Sequence, residues 1–170
     1  MPERHEDPLL LQLLRAAQLI SDRLAPVLDD CGVTGEQWRV LEVLAAGEGL
    51  PMTDLSRLAV LPPASATRAV DRLISLALVY RRADPLDRRR VMVFLSTHGA
   101  QTTATVGERR RAIERELAGA IGSRRYLGIT DGLDHLIRAQ TATGDDAADR
   151  SATDLSATDL SATDLSATSG

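Results

Sequence analysis

A mainly helical fold with one small β-hairpin, framed by long helices at both ends, is predicted for this 170-residue chain from three observations. Apolar residues recur at steps of three and four from Leu9 onward; the period drops to two for a short stretch after Ala77; and helical punctuation of Thr, Pro and Gly separates the helical runs. Residues Gly144–Gly170 are mostly Ser, Ala, Thr and Asp and include SATDLSATDLSATDLSAT, a pentapeptide repeat too polar to offset its ordering entropy. Residues 1–143 are therefore assigned to one domain, and 144–170 to an acidic low-complexity tail expected to be disordered. A domain of that length buries about 70% of its unfolded surface, enough to fold without a metal or a disulfide.

The elements follow in order. Leu9, Leu10, Leu13, Leu14, Ala17, Ile20, Leu24, Val27 and Leu28 make a long amphipathic helix with a broad apolar stripe. Thr34 with Gln37 three residues on reads as a capping box opening a second helix, with Trp38, Leu41 and Ala45 on one face and a stop at Gly47 and Gly49. Thr53 is expected to cap a short helix through Leu55, Leu58 and Ala59. Pro62 and Pro63 suit the first turn of the next helix, where no backbone donor is needed, and that helix runs to about Leu76 over a buried stripe of Ala66, Ala69, Val70, Leu73 and Ile74. Leu78–Ala83 and Arg90–Leu95 are two β-type runs joined by an Asp84-Pro85 turn and a charged tip, Leu86–Arg89. Ser96 or Thr97 opens a long helix ended by Gly122, and a last one covers Arg124–Gln140. Short helix, brief turn, second helix and hairpin together are a winged helix-turn-helix, with the N- and C-terminal helices left over for dimerisation.

Charge supports a nucleic-acid partner once it is split along the chain. Overall, 20 basic residues face 24 acidic ones, a net charge of −4. Six Asp against the single Arg150 lie in Gly144–Gly170, so residues 1–143 are close to neutral. Between Asp54 and His98, Arg57, Arg68, Arg72, Arg81, Arg82, Arg88, Arg89 and Arg90 outnumber Asp54, Asp71, Asp84 and Asp87, a local basic field. Every basic residue is Arg, so position has to add to what composition says.

Position does add to it. On the helix after Pro63, Ser65, Arg68 and Arg72 stand opposite the Val70 stripe, with Ala64 and Thr67 beside them near the N-terminus. A helix so divided fits a major groove, with Arg68 bidentate to guanine and Ala64 and the Thr67 methyl against thymine. The plainer alternative is a solvated face with Arg68 paired to Asp71. At the hairpin tip, alternation sends Arg89 away from Arg88 and Arg90, so one guanidinium can enter a minor groove while Arg88 and Arg90, with Arg81 and Arg82 across the hairpin, meet phosphates or are held by Asp84 and Asp87. The alternative there is a salt-bridged surface turn.

From Val33 to Gly99 the chain resembles the MarR family of bacterial winged-helix transcriptional regulators: VTGEQWRVLEVLA, then TDLSRLA, then SATRAVDRLISLALVYRRADPLDRRRVMVFLSTHG. The most specific piece is RRADPLDRR followed by a β-run and LSTHG, and the DNA-binding core is placed at about residues 33–99. The resemblance implies a homodimer interlocked by its terminal helices, binding a pseudo-palindromic duplex and released by a small-molecule effector or an oxidant. It puts Ser65, Thr67 and Arg68 on the recognition-helix contacts, Arg89 on the wing arginine and Asp87 on the acid that steadies the wing. Two positions depart from the family pattern: Ala77 where a glycine usually ends the recognition helix, and Val60 where glycine is common in the preceding turn.

Other chemistries are disfavoured. Cys31, the single cysteine, permits no internal disulfide, and Asp29 and Asp30 beside it disfavour a thiolate sensor. His5, His98 and His135 lack ligand spacing, Gly47-Glu48-Gly49 lacks a third glycine, and no GxSxG elbow occurs, so no metal, cofactor or enzymatic activity is expected. The four aromatics, Trp38, Tyr80, Phe94 and Tyr126, fall in core-patterned segments, which argues against a stacking reader of single strands. No apolar run is long enough to span a membrane and Met1–Pro8 is too charged for a signal peptide, so a cytoplasmic protein is expected. The expected function is a sequence-specific double-stranded DNA-binding regulator, a repressor controlled by a small molecule. The alternative is a winged-helix protein-interaction module with the acidic tail as its working part.

Overall fold

The computed structural model describes residues 8–84, 87 and 90–139. Its elements are α1 (Leu9–Asp30), α2 (Gly35–Ala45), β1 (Leu50–Pro51), α3 (Met52–Leu58), α4 (Pro63–Ser75), β2 (Val79–Ala83), β3 (Val91–Leu95) and α5 (Thr97–Ile121). A last helix, α6, covers residues 123–139. The chain divides into two compact units, Met1–Glu116 and Leu117–Gly170.

In the first unit the core is drawn from α2, α3, α4, the sheet and α5. Val40, Leu41, Leu44, Leu55, Val70, Leu73, Val93, Val106 and Ile113 are fully buried there. Burying each such side chain contributes about 1.5–3 kcal/mol, so truncating Leu55 or Leu73 to Ala should cost about 2–5 kcal/mol. The three strands are antiparallel in the order β1-β3-β2, with Tyr80 opposite Phe94 and Leu50 opposite Val93. The expected hairpin is therefore extended by a third, two-residue strand. Pro51 is tolerated in it because β1 is an edge strand.

Helix ends decide how the reading elements are presented. The capping box at Thr34 is formed: its Oγ1 accepts from the Gln37 backbone N–H at 3.3 Å, and Gln37 Oε1 accepts from the Thr34 N–H at 3.0 Å. Thr53 does not cap α3. The helix begins at Met52, two residues earlier than a Thr53 cap would start it, with Pro51 in the capping position and no side-chain cap, because the chain enters it directly from the β1 pairing. Pro63 is the first residue of α4, as its lack of a backbone donor allows.

Both departures from glycine sit in left-handed backbone. Val60 has φ 53° and Ala77 φ 56°. Each closes a full Schellman motif: Leu61 N–H donates to Ser56 O at 3.0 Å and Val60 N–H to Arg57 O at 3.2 Å, while Leu78 N–H donates to Leu73 O at 3.0 Å and Ala77 N–H to Ile74 O at 2.9 Å. The helix ends are thus kept without glycine, against a steric cost of about 1–2 kcal/mol at each site. Beyond Ala77, Ser96 Oγ donates to Ala77 O at 2.7 Å and accepts from Gly99 N–H at 2.9 Å, capping α5. Gly99 is pressed against the Leu78 carbonyl, where a Cβ would come within 2.0 Å of the oxygen. The end of α4, the start of β2 and the start of α5 therefore meet at one tight joint.

Arg23 of α1 is ion-paired with Glu116, and Leu24 and Leu28 of α1 are buried. The N-terminal half of α1 is not covered: Leu9, Leu10 and Leu14 are 61%, 69% and 58% exposed. In the second unit, Leu127, Ile129, Leu136 and Ile137 of α6 are exposed. Among the described residues no helix is long and apolar enough to cross a membrane.

Candidate nucleic-acid interface

Helix α4 is divided between core and solvent as its spacing demands. Ala66, Ala69, Val70 and Leu73 are buried, while Ala64, Thr67, Arg68 and Arg72 are exposed and Ser65 is half-buried. The outward side chains are tethered to one another. Arg68 Nη2 donates to Ser65 Oγ at 3.1 Å, one turn back toward the helix N-terminus. Thr67 Oγ1 donates to the Pro63 carbonyl at 3.0 Å. Arg72 Nη1 donates to Ser75 Oγ at 3.3 Å, and Ser75 Oγ donates in turn to Arg72 O at 2.7 Å. Asp71, the acid three residues from Arg68, is bound elsewhere, with its Oδ1 2.9 Å from Arg81 Nη2 on β2.

The strands beside α4 hold their own cations. Tyr80 and Phe94, cross-strand partners, stack with ring centroids 5.5 Å apart and 16° between planes. The Arg82 guanidinium lies 4.6 Å from the Phe94 ring centroid, a cation–π contact. Gly49, at φ 63°, admits that ring, since a Cβ there would come within 2.4 Å of Phe94 Cε1. Arg81 and Arg82 are therefore held by Asp71 and by Phe94. At the base of the hairpin tip, Asp84 N–H donates to Arg90 O and Arg90 N–H to Asp87 O, both at 2.9 Å, and the Arg90 side chain is exposed. Arg88 and Arg89 lie outside the described residues.

Neither the Asp71–Arg81 link nor the aromatic seat for Arg82 was found by sequence reasoning. Alternation does place Tyr80 and Arg82 on one face of β2, but that Phe94 lies opposite Tyr80 depends on a cross-strand register that the sequence alone does not fix. The Asp71–Arg81 pair is tertiary and has no local signal.

A family model described as MarR family matches residues 32–90, the span from α2 through β2 to the residue before β3. Residues 32–90 thus carry the signature of the MarR family of transcriptional regulators. Over 130 residues it is 27% identical to the HTH-type transcriptional regulator FarR of Neisseria gonorrhoeae, covering 76% of this chain and 89% of FarR. Its fold is similar to that of NadR solved in complex with 4-hydroxyphenylacetate, with a TM-score of 0.70 at 26% identity over 80% of this chain and 97% of that one. A probable transcriptional regulator from Pseudomonas aeruginosa gives a TM-score of 0.66 at 28% identity, over 78% and 99% of the two chains.

Among the described residues, two cavities meet at Trp38. One, of 810 Å³, lies between α1 and α2 and is lined by Ala17, Ser21, Leu24, Leu28, Trp38 and Arg39 among others. The second, of 540 Å³, lies between α2 and α5, with Trp38, Glu42, Thr103, Gly107, Arg110 and Arg111 in its wall. Arg110 bridges Glu42 and Glu114 there; its Nε is 2.8 Å from Glu42 Oε1 but is not aligned for a hydrogen bond. Burial raises the Glu42 carboxyl above its ordinary range; Arg110 opposes that, Glu114 adds to it, and a hydrogen bond from Trp38 opposes it again. Cys31 is half-buried at the end of α1. Among the described residues no group of three or more His, Cys, Asp or Glu side chains is placed to hold a metal.

Proposed function

We propose that this protein is a MarR family regulator, a cytoplasmic, non-enzymatic repressor that binds a pseudo-palindromic DNA operator as a homodimer and releases it on binding a small molecule. The observation that carries this reading is the surface of α4. Small and cationic side chains, Ala64, Thr67, Arg68 and Arg72, are exposed on a helix whose opposite face is fully buried, with no carboxylate of the same helix spent on Arg68. Ser65 holds Arg68 along the helix toward its N-terminal turns, the part of a recognition helix that meets base edges. Arg68 then contacts guanine, Arg72 and Arg90 contact phosphate, and Arg88 and Arg89 extend the basic surface at the wing tip, which Asp84 and Asp87 brace at its base.

The bare leucines of α1 support the dimer. A monomer would leave Leu9, Leu10 and Leu14 in water, whereas a second copy covers them. Two recognition helices related by a two-fold axis would enter successive major grooves about 34 Å apart. NadR, solved in complex with 4-hydroxyphenylacetate, supports effector control, and the two cavities around Trp38 are the places we assign to the effector. The tail from Gly144 to Gly170, net −5 from six Asp and one Arg, would repel DNA and weaken non-specific binding. Deleting Ser151–Gly170 should then raise affinity for random duplex at low salt.

The test of the main reading is selection of bound duplexes from a random pool, followed by mobility shift at several salt concentrations. A conserved two-fold motif whose affinity falls with salt is expected. Binding indifferent to both sequence and salt would favour a protein-interaction module instead.

A further inference from the structure

On the DNA-binding reading above, we propose that Arg39, a residue of α2 outside the reading helix, is a positioning residue for operator recognition: through the Val60 carbonyl it holds the turn from which α4 departs. Arg39 Nη1 donates to Val60 O at 3.2 Å, a tertiary bond across 21 residues of sequence. Its choice of partner is informative. Asp22, Asp29 and Glu36 line the same α1–α2 cavity as Arg39, yet among the described residues no carboxylate is ion-paired with it. The turn it holds has few other anchors. The peptide joining Val60 to Leu61 gives its N–H to Ser56 O at 3.0 Å and receives Arg39 on its carbonyl, so both of its polar ends are fixed. From the α3 side, Ser56 Oγ donates to Leu61 O at 2.7 Å; Arg39 supplies the tie from α2. Val60 itself is in left-handed backbone with an exposed side chain, so packing does not secure it. Pro62 and Pro63 follow without N–H groups, so no backbone donor tethers the chain between Leu61 and Ala64, and α4 starts inside that gap. A swing of the Val60–Leu61 peptide therefore passes to the first turn of α4 and on to Arg68.

The experiment compares wild type, Arg39→Met and Arg39→Lys on the selected operator and on random duplex by fluorescence anisotropy over a series of salt concentrations, with urea denaturation of each protein alongside. Arg39→Met keeps the length of the side chain and removes the donor. It should bind the operator about fivefold more weakly per half-site, the factor that one hydrogen bond supplies. Its affinity for random duplex and the slope of operator affinity against salt should stay those of wild type, because no phosphate contact is lost. Arg39→Lys, which can still donate one N–H to a carbonyl, should recover most of the loss. Unchanged operator affinity in Arg39→Met overturns the inference. So does a loss shared equally by operator and random duplex with the salt slope flattened by about one per contact, which would make Arg39 a phosphate ligand. A loss that Arg39→Lys does not repair while remaining as stable as wild type overturns it as well. Wild-type protein that selects no sequence at all would overturn the DNA-binding reading itself, before any variant is compared.

Discussion

Arg81 Nη2 lies 2.9 Å from Asp71 Oδ1, so the first wing strand is tied to the outer face of α4 by the acid nearest in sequence to Arg68. The pairing does two things at once. It fixes the angle between helix and strand, and it removes from Arg68 the carboxylate that would compete with a nucleic-acid base. Arg68 is left with a neutral partner, the Ser65 hydroxyl, which it can exchange for guanine at little electrostatic cost.

The first prediction concerns that pair. Both side chains are partly exposed, 37% for Arg81 and 55% for Asp71, so solvent screens most of their attraction. A double-mutant cycle of Asp71→Ala and Arg81→Ala, read by urea denaturation, should give a coupling of about 0.2–1 kcal/mol. Operator affinity should fall in Asp71→Ala by more than this coupling alone implies, because Arg81 is freed from the wing's anchorage.

Two substitutions should stabilise the protein. Val60→Gly and Ala77→Gly relieve left-handed residues that carry side chains, at φ 53° and 56°, without touching any hydrogen bond of the two Schellman motifs. Each should raise the unfolding free energy by about 1 kcal/mol, Val60→Gly by more since a β-branched residue is the worse fit. Thermal melts measure this, and a fall in melting temperature in both variants would contradict the assigned backbone.

The fold was legible where local chemistry sets it. The Thr34 capping box, Pro63 at the first position of α4 and the Val70 stripe each follow from residues within one or two turns. The expected hairpin runs are each one residue too long at the N-terminal end, because Leu78 completes the Schellman motif of α4 and Arg90 closes the hairpin tip. β1 was not legible: two residues, one of them Pro51, show no alternation, and the strand exists only because β3 pairs with it. Thr53 misled for the same reason, since a cap-like residue loses its place when the chain is already in register upstream. At the interface, exposure of Ala64, Thr67, Arg68 and Arg72 was readable from periodicity. Their tethering to Ser65, Pro63 and Ser75 was not singled out, although each bond spans only three or four residues.

Stability should depend on pH through Glu42. Burial holds its folded-state carboxyl above the ordinary 4.5, so its protonated form is favoured in the fold. The stabilisation this represents is full below the unfolded value and is lost as pH rises through the folded one. Glu42→Gln, which mimics the protonated acid, should therefore gain stability relative to wild type between pH 4 and pH 7, the difference levelling off above the raised value. A difference that stays flat over that range would contradict the assignment.

The dimer prediction rests on α1. Leu14→Asp, at a position 58% exposed and outside the subunit core, should leave the fold intact by circular dichroism and yield monomers in sedimentation velocity. Operator binding should weaken with it, since each half-site is then bound alone. A wild-type chain that is already a stable monomer would remove the two-fold operator from the account.

The central claim is that Arg68 reads a base from α4. Fluorescence anisotropy of wild type and Arg68→Ala on the selected operator, and on operators with each half-site base changed in turn, tests it most directly. The account predicts a loss of about 1–3 kcal/mol for Arg68→Ala, together with indifference at one guanine position that the wild type discriminates. Unchanged affinity with the wild-type pattern of base preference intact would contradict it.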